Sequence, residues 1–173
     1  MIITISGTPG SGKSTVAKKL KKRLGFEYIY SGQIFRELAD KHDMSLEEFG
    51  KYCEENSDID KELDEKQVEI LQTKDNIILE GRLSGWLSYK NNIDALKIFL
   101  DADINIRTKR IIKREKGLFD KRKKEIKKLE KSEKTRYKNY YGIDLDETSI
   151  YDMVIDTEDK KPEEIVDLIV LKM

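Results

Sequence analysis

A glycine-rich loop near the start of the chain has the residue types and spacing of a phosphate-binding loop. The pattern G-x-x-x-x-G-K-[ST] is matched by Gly7, Gly12, Lys13 and Ser14. In such a loop the glycines let successive backbone amides point at one phosphate, the lysine adds a point charge, and the hydroxyl can ligate Mg²⁺. The sequence therefore predicts that nucleotide phosphates bind along the whole loop, which comprises Gly7, Thr8, Pro9, Gly10, Ser11, Gly12, Lys13, Ser14 and Thr15.

The segments on either side of this loop supply the structural context that the motif requires. Residues 2–5 are β-branched and mostly apolar, which is typical of a buried parallel strand. Behind the loop, apolar residues recur at helical spacing until Gly25, at Val16, Ala17, Leu20 and Leu24. A helix that begins at the loop directs its free amides and the positive end of its dipole at an anion. The order strand, loop, helix makes a chance match improbable.

The rest of the chain alternates predicted strands and helices, which indicates an α/β fold with a five-stranded parallel sheet and helices on both faces. Strands are predicted over residues 26–32, 76–81, 95–103 and 151–157. Helices are predicted over residues 33–42, 45–56, 58–74, 106–114 and 161–173. Ser45 and Glu48 have the spacing of a capping box.

The length of the chain suits one domain, residues 1–173. Two segments between the predicted strands are longer than simple connections need, and we interpret them as insertions. We expect one insertion at about residues 31–74, to bind a second substrate, and a lid at about residues 113–138. Lysine plus arginine equals aspartate plus glutamate, 34 each, so no net field attracts nucleic acid or membrane. Cys53 is the only cysteine, and the apolar start is too short for a signal peptide, so we expect a reducing, cytoplasmic location.

Several arginines follow predicted strands, where ligands of open α/β sheets bind. They are Arg36, Arg82, Arg110 and Arg114, with Arg136 further along in the basic segment. Arginine grips phosphate with two parallel bonds, whereas lysine offers a point charge. Each of them alone is explained equally well as a surface charge, but their shared position favours a second phosphate site. With no N-K-x-D motif of a switch GTPase, the pattern indicates a small kinase.

Over its whole length the chain resembles the nucleoside monophosphate kinases, and most closely the archaeal-type cytidylate kinases. The resemblance lies in "GTPGSGKST", "YIYSGQIFRELA", "ILEGRLSG", "FLDADINIRTKRIIKRE" and "SEKTRYKNYYGID". It implies that Ser31, Gly32 and Arg36 form the monophosphate-binding element and that Arg82 also holds the monophosphate. Leu83 departs from the bacterial cytidylate kinases, which have an aspartate at this position.

The same resemblance implies roles at the donor side and in the lid. Arg110 would stack on the donor adenine, Arg114 would bind phosphate, and Arg136 would reach both nucleotides on closure. Glu80 replaces the family's usual aspartate and would reach Mg²⁺ through water, beside Ser14. The catalytic set is then Lys13, Arg82, Arg114 and Arg136. ATP would phosphorylate CMP, or dCMP or UMP, in a protein expected to act as a monomer, without nucleic acid or membrane.

The base of the acceptor must be read by the insertion, because the loop contacts only phosphates. A polar run offers candidates, namely Asn56, Ser57, Asp58, Asp60 and Asp64. A carboxylate of Asp60 or Asp64 can accept a hydrogen bond from the cytosine amino group, which uracil lacks. Capping or solvating a helix explains these acids equally well.

Three other functions remain open at this point. An adenylate kinase is the nearest, and a kinase of a small metabolite, of shikimate or gluconate type, would share the loop and the lid. A non-kinase, ATP-dependent RNA or ribosome-assembly factor would use the basic run at residues 121–134 for nucleic acid. The acids interleaved in that run favour an amphipathic helix with a solvated face instead.

Overall fold

Five parallel strands form the sheet at the centre of this computed structural model, in the order β2-β3-β1-β4-β5. They are β1 Ile2–Gly7, β2 Glu27–Tyr30, β3 Ile77–Glu80, β4 Leu96–Asp101 and β5 Met153–Asp156. The predicted five-stranded parallel sheet is therefore confirmed. The chain leaves the central strand β1 to build β2 and β3 on one side, then crosses to build β4 and β5 on the other. Ligands bind at such a switch point, outside the carboxyl end of β1.

The structure describes residues 1–45, 48, 49, 52 and 58–173, and for residues 59 and 60 it describes the backbone alone. The helices in this part of the chain are α1 Lys13–Leu24, α2 Ser31–Lys41, α3 Asp58–Thr73, α4 Ser84–Lys90, α5 Ile104–Glu115, α6 Phe119–Tyr141 and α7 Pro162–Lys172. None of them is both long and apolar enough to cross a membrane.

Both faces of the sheet are covered by helices, as predicted. On one face Ile5 of β1, Leu20 of α1 and Ile169 of α7 are fully buried in a common cluster. On the other face the cluster includes Leu79 of β3 and residues from α2, α3 and α4, such as Leu71. The strands are apolar toward both faces because each face meets a helical layer.

The helices differ by more than about two residues, or in their existence or direct context, from the sequence prediction at α2, α4 and α6. Helix α2 begins at Ser31, directly after β2, where the sequence predicted strand and loop as far as residue 32. Helix α4 was not predicted, because its seven residues include Gly85 and show no clear helical period. Helix α6 continues to Tyr141, past the predicted end of the lid at 138, and ends at Gly142 in the left-handed conformation.

The predicted capping box is present at the start of the segment that follows α2. The backbone amide of Ser45 donates to Glu48 Oε2 at 2.9 Å, and the Glu48 amide donates to Ser45 Oγ at 3.3 Å. These are the two reciprocal bonds of the motif. Most of the helix predicted over residues 45–56 lies outside the described residues, as do Asn56 and Ser57.

Candidate active site

The phosphate-binding loop joins β1 to α1 in a conformation that requires glycine. Gly7 has φ 144°, and a Cβ there would lie 2.0 Å from the carbonyl oxygen of Leu100 on β4. Gly12 has φ 98° and turns the chain into α1. Lys13 and Ser14 open that helix, so their amides have no acceptor one turn earlier and face outward. The loop thus provides backbone donors at the carboxyl end of the central strand.

Lys13 lies across the loop and is partly buried. Its Nζ donates to the carbonyl oxygens of Gly7, at 3.0 Å, and Thr8, at 2.8 Å. Burial, together with the positive charge of Arg82, lowers the pKa of Lys13 to about 7, against the opposing effects of Glu80 and Glu133. A phosphate placed beside this amine would favour its charged form.

Ser14 and Glu80 meet where the loop approaches the end of β3. Ser14 Oγ donates to Glu80 Oε1 at 2.8 Å, and the Tyr28 hydroxyl donates to Glu80 Oε2. Burial and the bond to Glu80 raise the pKa of Tyr28, so Tyr28 remains a protonated donor. A hydroxyl and a carboxylate oxygen side by side are the hard oxygen ligands that Mg²⁺ prefers. The pair predicted from the sequence therefore lies together and fits that ion.

Arg82 links the loop to helix α6 of the predicted lid. Its Nη1 donates to the Gly7 carbonyl oxygen at 2.6 Å. Its Nη2 lies 2.7 Å from Glu133 Oε2, and its Nε donates to Glu133 Oε1 at 3.3 Å. Glu133 is 7% exposed, and burial raises its pKa while the charge of Arg82 opposes that change. Glu133 of α6 is thus paired with the arginine that is expected to hold the acceptor phosphate.

Arg107 repeats this arrangement and was missed by the sequence reasoning. The buried guanidinium donates to the carbonyl oxygen of Pro9 in the loop at 3.2 Å and to Glu130 Oε1 at 2.6 Å. Glu130 and Glu133 lie three residues apart on one face of α6, and that spacing is the signal that was available in the sequence. With Gly7 and both arginines, they line a cavity of about 270 Å³ between the loop and α6.

Arg110 and Arg114, predicted at the donor side, line a second cavity beside the loop. This cavity has a volume of about 390 Å³ and also includes Gly12, Thr157 and residues at the start of α7. Arg110 donates to Thr157 Oγ1 at 2.9 Å and to the Thr157 carbonyl oxygen at 2.7 Å. Arg114 is exposed and pairs with Glu115. Thr157 was not predicted as a site residue, although it follows a strand as the arginines do.

The predicted monophosphate-binding element lies at the end of β2, with its residues in different surroundings. Ser31 and Gly32 form the first turn of α2. A Cβ placed on Gly81, next to Arg82, would lie 3.7 Å from Ser31 Cβ, so Ser31 borders the site. Arg36 is exposed and donates to the Tyr30 hydroxyl at 2.7 Å. The structure therefore brings Ser31 close to Arg82 and places Arg36 further out, beside Tyr30.

Arg136 lies on α6 close to the pair formed by Arg82 and Glu133. Its guanidinium carbon is 5.4 Å from the ring centre of Tyr137, and its charge acts to lower the pKa of Glu133. Lys13, Arg82 and Arg136 therefore surround one acid. Arg114, the fourth predicted catalytic residue, lies instead at the donor-side cavity.

Of the two acids predicted to read the base, Asp60 and Asp64, only the side chain of Asp64 is described by the structure. Asp64 on α3 is 6% exposed, and its Oδ2 accepts a bond from the Tyr141 hydroxyl at 2.8 Å. Its Oδ1 accepts from Gln67 Nε2 at 3.1 Å. Asp64 is thus a buried, bonded acid, not a solvated one. The side chain of Asp60 lies outside the described part of the structure, whereas Asp58 is exposed and pairs with Lys61 at 3.2 Å.

A phosphate-binding loop on the central strand of a five-stranded parallel sheet, with arginines beside it that pair with helix α6, is the arrangement of the P-loop kinases as a class. The chain belongs to the cytidylate kinase-like family, whose model matches residues 2–159. The family predicted from the sequence is therefore confirmed.

Similar proteins extend over nearly the whole chain. A cytidylate kinase of Sulfurisphaera tokodaii is 47% identical over 169 residues, which cover 98% of this chain and 93% of that protein. A cytidylate kinase of Thermoplasma acidophilum is 48% identical over 165 residues, covering 95% and 88% of the two chains. A shikimate kinase of Bacteroides thetaiotaomicron has the same fold, with a TM-score of 0.64 at 13% identity and coverage of 100% and 99%.

Proposed function

We propose that this protein is a phosphotransferase that moves the γ-phosphoryl group of ATP onto the phosphate of CMP, and also of dCMP or UMP. One observation carries the proposal within the site. Lys13, from the donor loop, and Arg82, from the acceptor side, both donate to the carbonyl oxygen of Gly7, at 3.0 and 2.6 Å. Two cations that serve different substrates converge on one point, as a transfer between two phosphates requires.

Phosphoryl transfer to CMP requires positioning of the two substrates and neutralisation of their charge more than it requires a general base. The acceptor phosphate is already an anion, so no proton has to be removed from the nucleophile. A loose transition state spreads negative charge over the migrating group, and fixed cations around it lower the barrier. Lys13 and the amides of the loop hold the donor phosphates, while Arg82 and Arg36 hold the acceptor phosphate. Arg114 and Arg136 complete the set when the lid is closed.

Ser14 and Glu80 would hold Mg²⁺, Ser14 through its hydroxyl and Glu80 through water. The ion, when bound with ATP, supplies positive charge beside the donor phosphates. The 2.8 Å bond between the two side chains supports this assignment, because both oxygens already face the same point. Tyr28 holds the second oxygen of Glu80 and so orients the carboxylate.

The surrounding elements have assigned roles in this proposal. The cavity beside Arg110 takes the donor adenine, and residues from about 31 to 74 bind the acceptor nucleotide. Residues from about 113 to 138, which contain the end of α5 and most of α6, act as the lid. We infer a monomer in the cytoplasm, consistent with the single cysteine and the balanced charge.

The test is a panel of acceptors incubated with the purified protein, ATP and Mg²⁺, with diphosphate product measured for each. CMP is expected to give the highest kcat/KM, followed by dCMP and UMP. A preference for AMP would make the protein an adenylate kinase, and activity on shikimate or gluconate alone would make it a metabolite kinase. ATP hydrolysis that no acceptor stimulates, together with RNA binding, would favour an assembly factor.

A further inference from the structure

Gln67, on helix α3, holds a hydrogen-bond acceptor that nothing in the described structure uses. The residue is 3% exposed. Its Nε2 donates to Asp64 Oδ1 at 3.1 Å, but its Oε1 is closed off from solvent and has no hydrogen-bond partner among the described residues. A buried polar atom without a partner carries a desolvation penalty, and native proteins seldom retain one without a use for it.

The orientation of this amide follows from its neighbour. An ionised carboxylate only accepts hydrogen bonds, so the Gln67 atom that faces Asp64 must be the NH₂ group. The other carboxylate oxygen of Asp64 accepts from the Tyr141 hydroxyl at 2.8 Å, which holds Asp64 in place. Gln67 Oε1 is therefore presented as an acceptor in a fixed direction.

That direction is toward the acceptor side of the active site. A Cβ placed on Gly81 would lie 2.8 Å from Gln67 Oε1 and 3.7 Å from Ser31 Cβ. Gly81 stands between Glu80, which is bonded to the loop, and Arg82, which is bonded to Gly7. The unused oxygen thus lies against the backbone between the end of β3 and the first turn of α2.

We propose that Gln67 reads the base of the acceptor nucleotide, with Oε1 accepting a hydrogen bond from the 4-amino group of cytosine. Uracil presents a carbonyl oxygen at the same position, so two acceptors would face each other and UMP would bind less well. Because Oε1 lies against Gly81, the contact with cytosine requires the Gln67 side chain to move away from Gly81 as the base enters. Asp64 and Tyr141 are positioning residues that keep the amide in its cytosine-reading orientation.

This inference rests on the proposed function, and it changes the role predicted for Asp64. The sequence suggested that this carboxylate itself accepts from the cytosine amino group. In the structure both of its oxygens are bonded to protein groups, Gln67 and Tyr141. Asp64 therefore acts through the amide of Gln67, and the base contacts the amide.

The first variant is Asp64→Asn, which has the same shape but can donate a hydrogen bond. An asparagine NH₂ group can pair with Gln67 Oε1, so the Gln67 amide can turn over and present its NH₂ group to the base. That group suits the carbonyl oxygen of uracil. We expect the CMP/UMP ratio of kcat/KM to fall by about tenfold or more, partly through a gain for UMP, since one base-edge contact discriminates by this order.

Gln67→Ala is the second variant and decides the matter if Asp64→Asn does not fold. It should lower kcat/KM for CMP by about tenfold and leave that for UMP nearly unchanged. Glu65→Gln, on the exposed side of the same helix, should leave both values as in the wild type. Thermal unfolding of each variant checks that its fold is intact.

The outcomes separate this inference from the proposed function. Wild-type protein without any CMP kinase activity would reject the proposed function. Wild-type activity with an unchanged CMP/UMP ratio in Gln67→Ala, or an equal loss for both substrates, would reject base reading by Gln67 and leave it a structural residue. A fallen ratio in Gln67→Ala, with or without the gain for UMP in Asp64→Asn, supports the assignment.

Discussion

The phosphate site and the base side of this protein hold their polar groups in opposite ways. Around the loop, basic side chains meet acids of α6, with Arg82 on Glu133 and Arg107 on Glu130. On α3, the neutral amide of Gln67 is fixed by Asp64, and its oxygen has no hydrogen-bond partner within the part of the chain that the structure describes.

The difference follows from what each region must recognise. Every nucleotide carries phosphates, so cations there supply affinity without selectivity. In the absence of phosphates, cations buried together would repel one another, and the acids of α6 offset that repulsion. A base differs from its competitor by one donor or acceptor, so a single oriented, uncharged group can distinguish them. Charge thus serves the common part of the substrate, and a hydrogen bond serves the part that varies.

The largest effect at the phosphate site is expected from the loss of Lys13. Lys13→Ala removes the charge that follows the migrating phosphoryl group, and we expect kcat to fall by about 1,000-fold. Steady-state kinetics with CMP and ATP measures the effect. Lys18→Ala, an exposed lysine on the same helix, is the matched control and should behave as the wild type. A Lys13→Ala enzyme within about threefold of the wild-type kcat, about 0.7 kcal/mol, would refute the assignment of the loop.

The next effect concerns the lid. Arg136→Ala should lower kcat by about 30-fold while changing the KM for CMP little, because its contact with the nucleotides forms mainly in the closed state. Lys127→Ala removes an equal charge from an exposed position of α6 and should have little effect. A rise in KM alone would place Arg136 in ground-state binding of CMP.

Closure itself is observable as a change in amide hydrogen exchange. Residues 113–138 should exchange more slowly when a bisubstrate analogue is bound, because phosphates hold the basic segment in place. Equal protection with and without the analogue, together with a normal kcat for Arg136→Ala, would make α6 a static basic helix and favour the nucleic-acid alternative.

A smaller effect tests whether the acids of α6 compete with substrate. Glu133→Gln frees Arg82 for the acceptor phosphate, so we expect the Kd for CMP to fall about fivefold, or about 1 kcal/mol. Isothermal titration calorimetry gives the value, and Glu125→Gln, which affects an exposed pair with Arg122, is the control. A weaker affinity in Glu133→Gln would mean that the acid orients Arg82 and does not compete.

The smallest expected effect is the uptake of a proton by Lys13 when ATP binds. Burial holds the pKa of Lys13 at about 7, so at pH 8 the amine is mostly neutral before ATP binds. Phosphate favours the charged amine, and binding should take up most of one proton at pH 8. The affinity for ATP should then weaken as the pH rises above 7. Calorimetry at pH 8 in buffers of different ionisation enthalpy measures the uptake, and Lys13→Ala should abolish it.

The lowered pKa of Lys13 also makes the free energy of unfolding depend on pH in a definite direction. The unfolded chain binds the Lys13 proton up to the ordinary lysine range, whereas the folded chain releases it near pH 7. Between these two values the unfolded state holds more protons, so the contribution of Lys13 to stability increases as the pH rises.

The features that the sequence predicted correctly were marked by local residue spacing or by a position directly after a predicted strand. The loop motif and the apolar strands needed only residue types and spacing, whereas the place of Glu80 beside Ser14 came from the resemblance to the nucleoside monophosphate kinases. Arg107 was missed because its partners Pro9 and Glu130 lie far along the chain, and because 39% of all residues are charged. One charged residue in such a chain has no local mark of burial.

The contacts of several buried polar groups were equally hidden. Gln67 lies close in sequence to Asp60 and Asp64, which were predicted to read the base. Only the packing of α3 against Gly81 shows that Gln67 Oε1 is buried without a hydrogen-bond partner among the described residues. Glu130 and Glu133 were assigned to a solvated face of an amphipathic helix, which is wrong for Glu133, since that side chain is buried on Arg82. Tertiary contact, not propensity, decides these cases.

The bond between Thr157 and the phosphate loop has a consequence for the synthesis of the protein. Thr157 Oγ1 lies 2.9 Å from the carbonyl oxygen of Ser11, a contact across 146 positions of the chain. The loop between β1 and α1 is therefore completed by the residue that follows β5, and contacts of such long range form slowly. A nascent chain still on the ribosome carries the whole loop motif long before Thr157 has been added. We therefore expect the loop to reach its final geometry only after Thr157 has been synthesised and has docked beside Ser11.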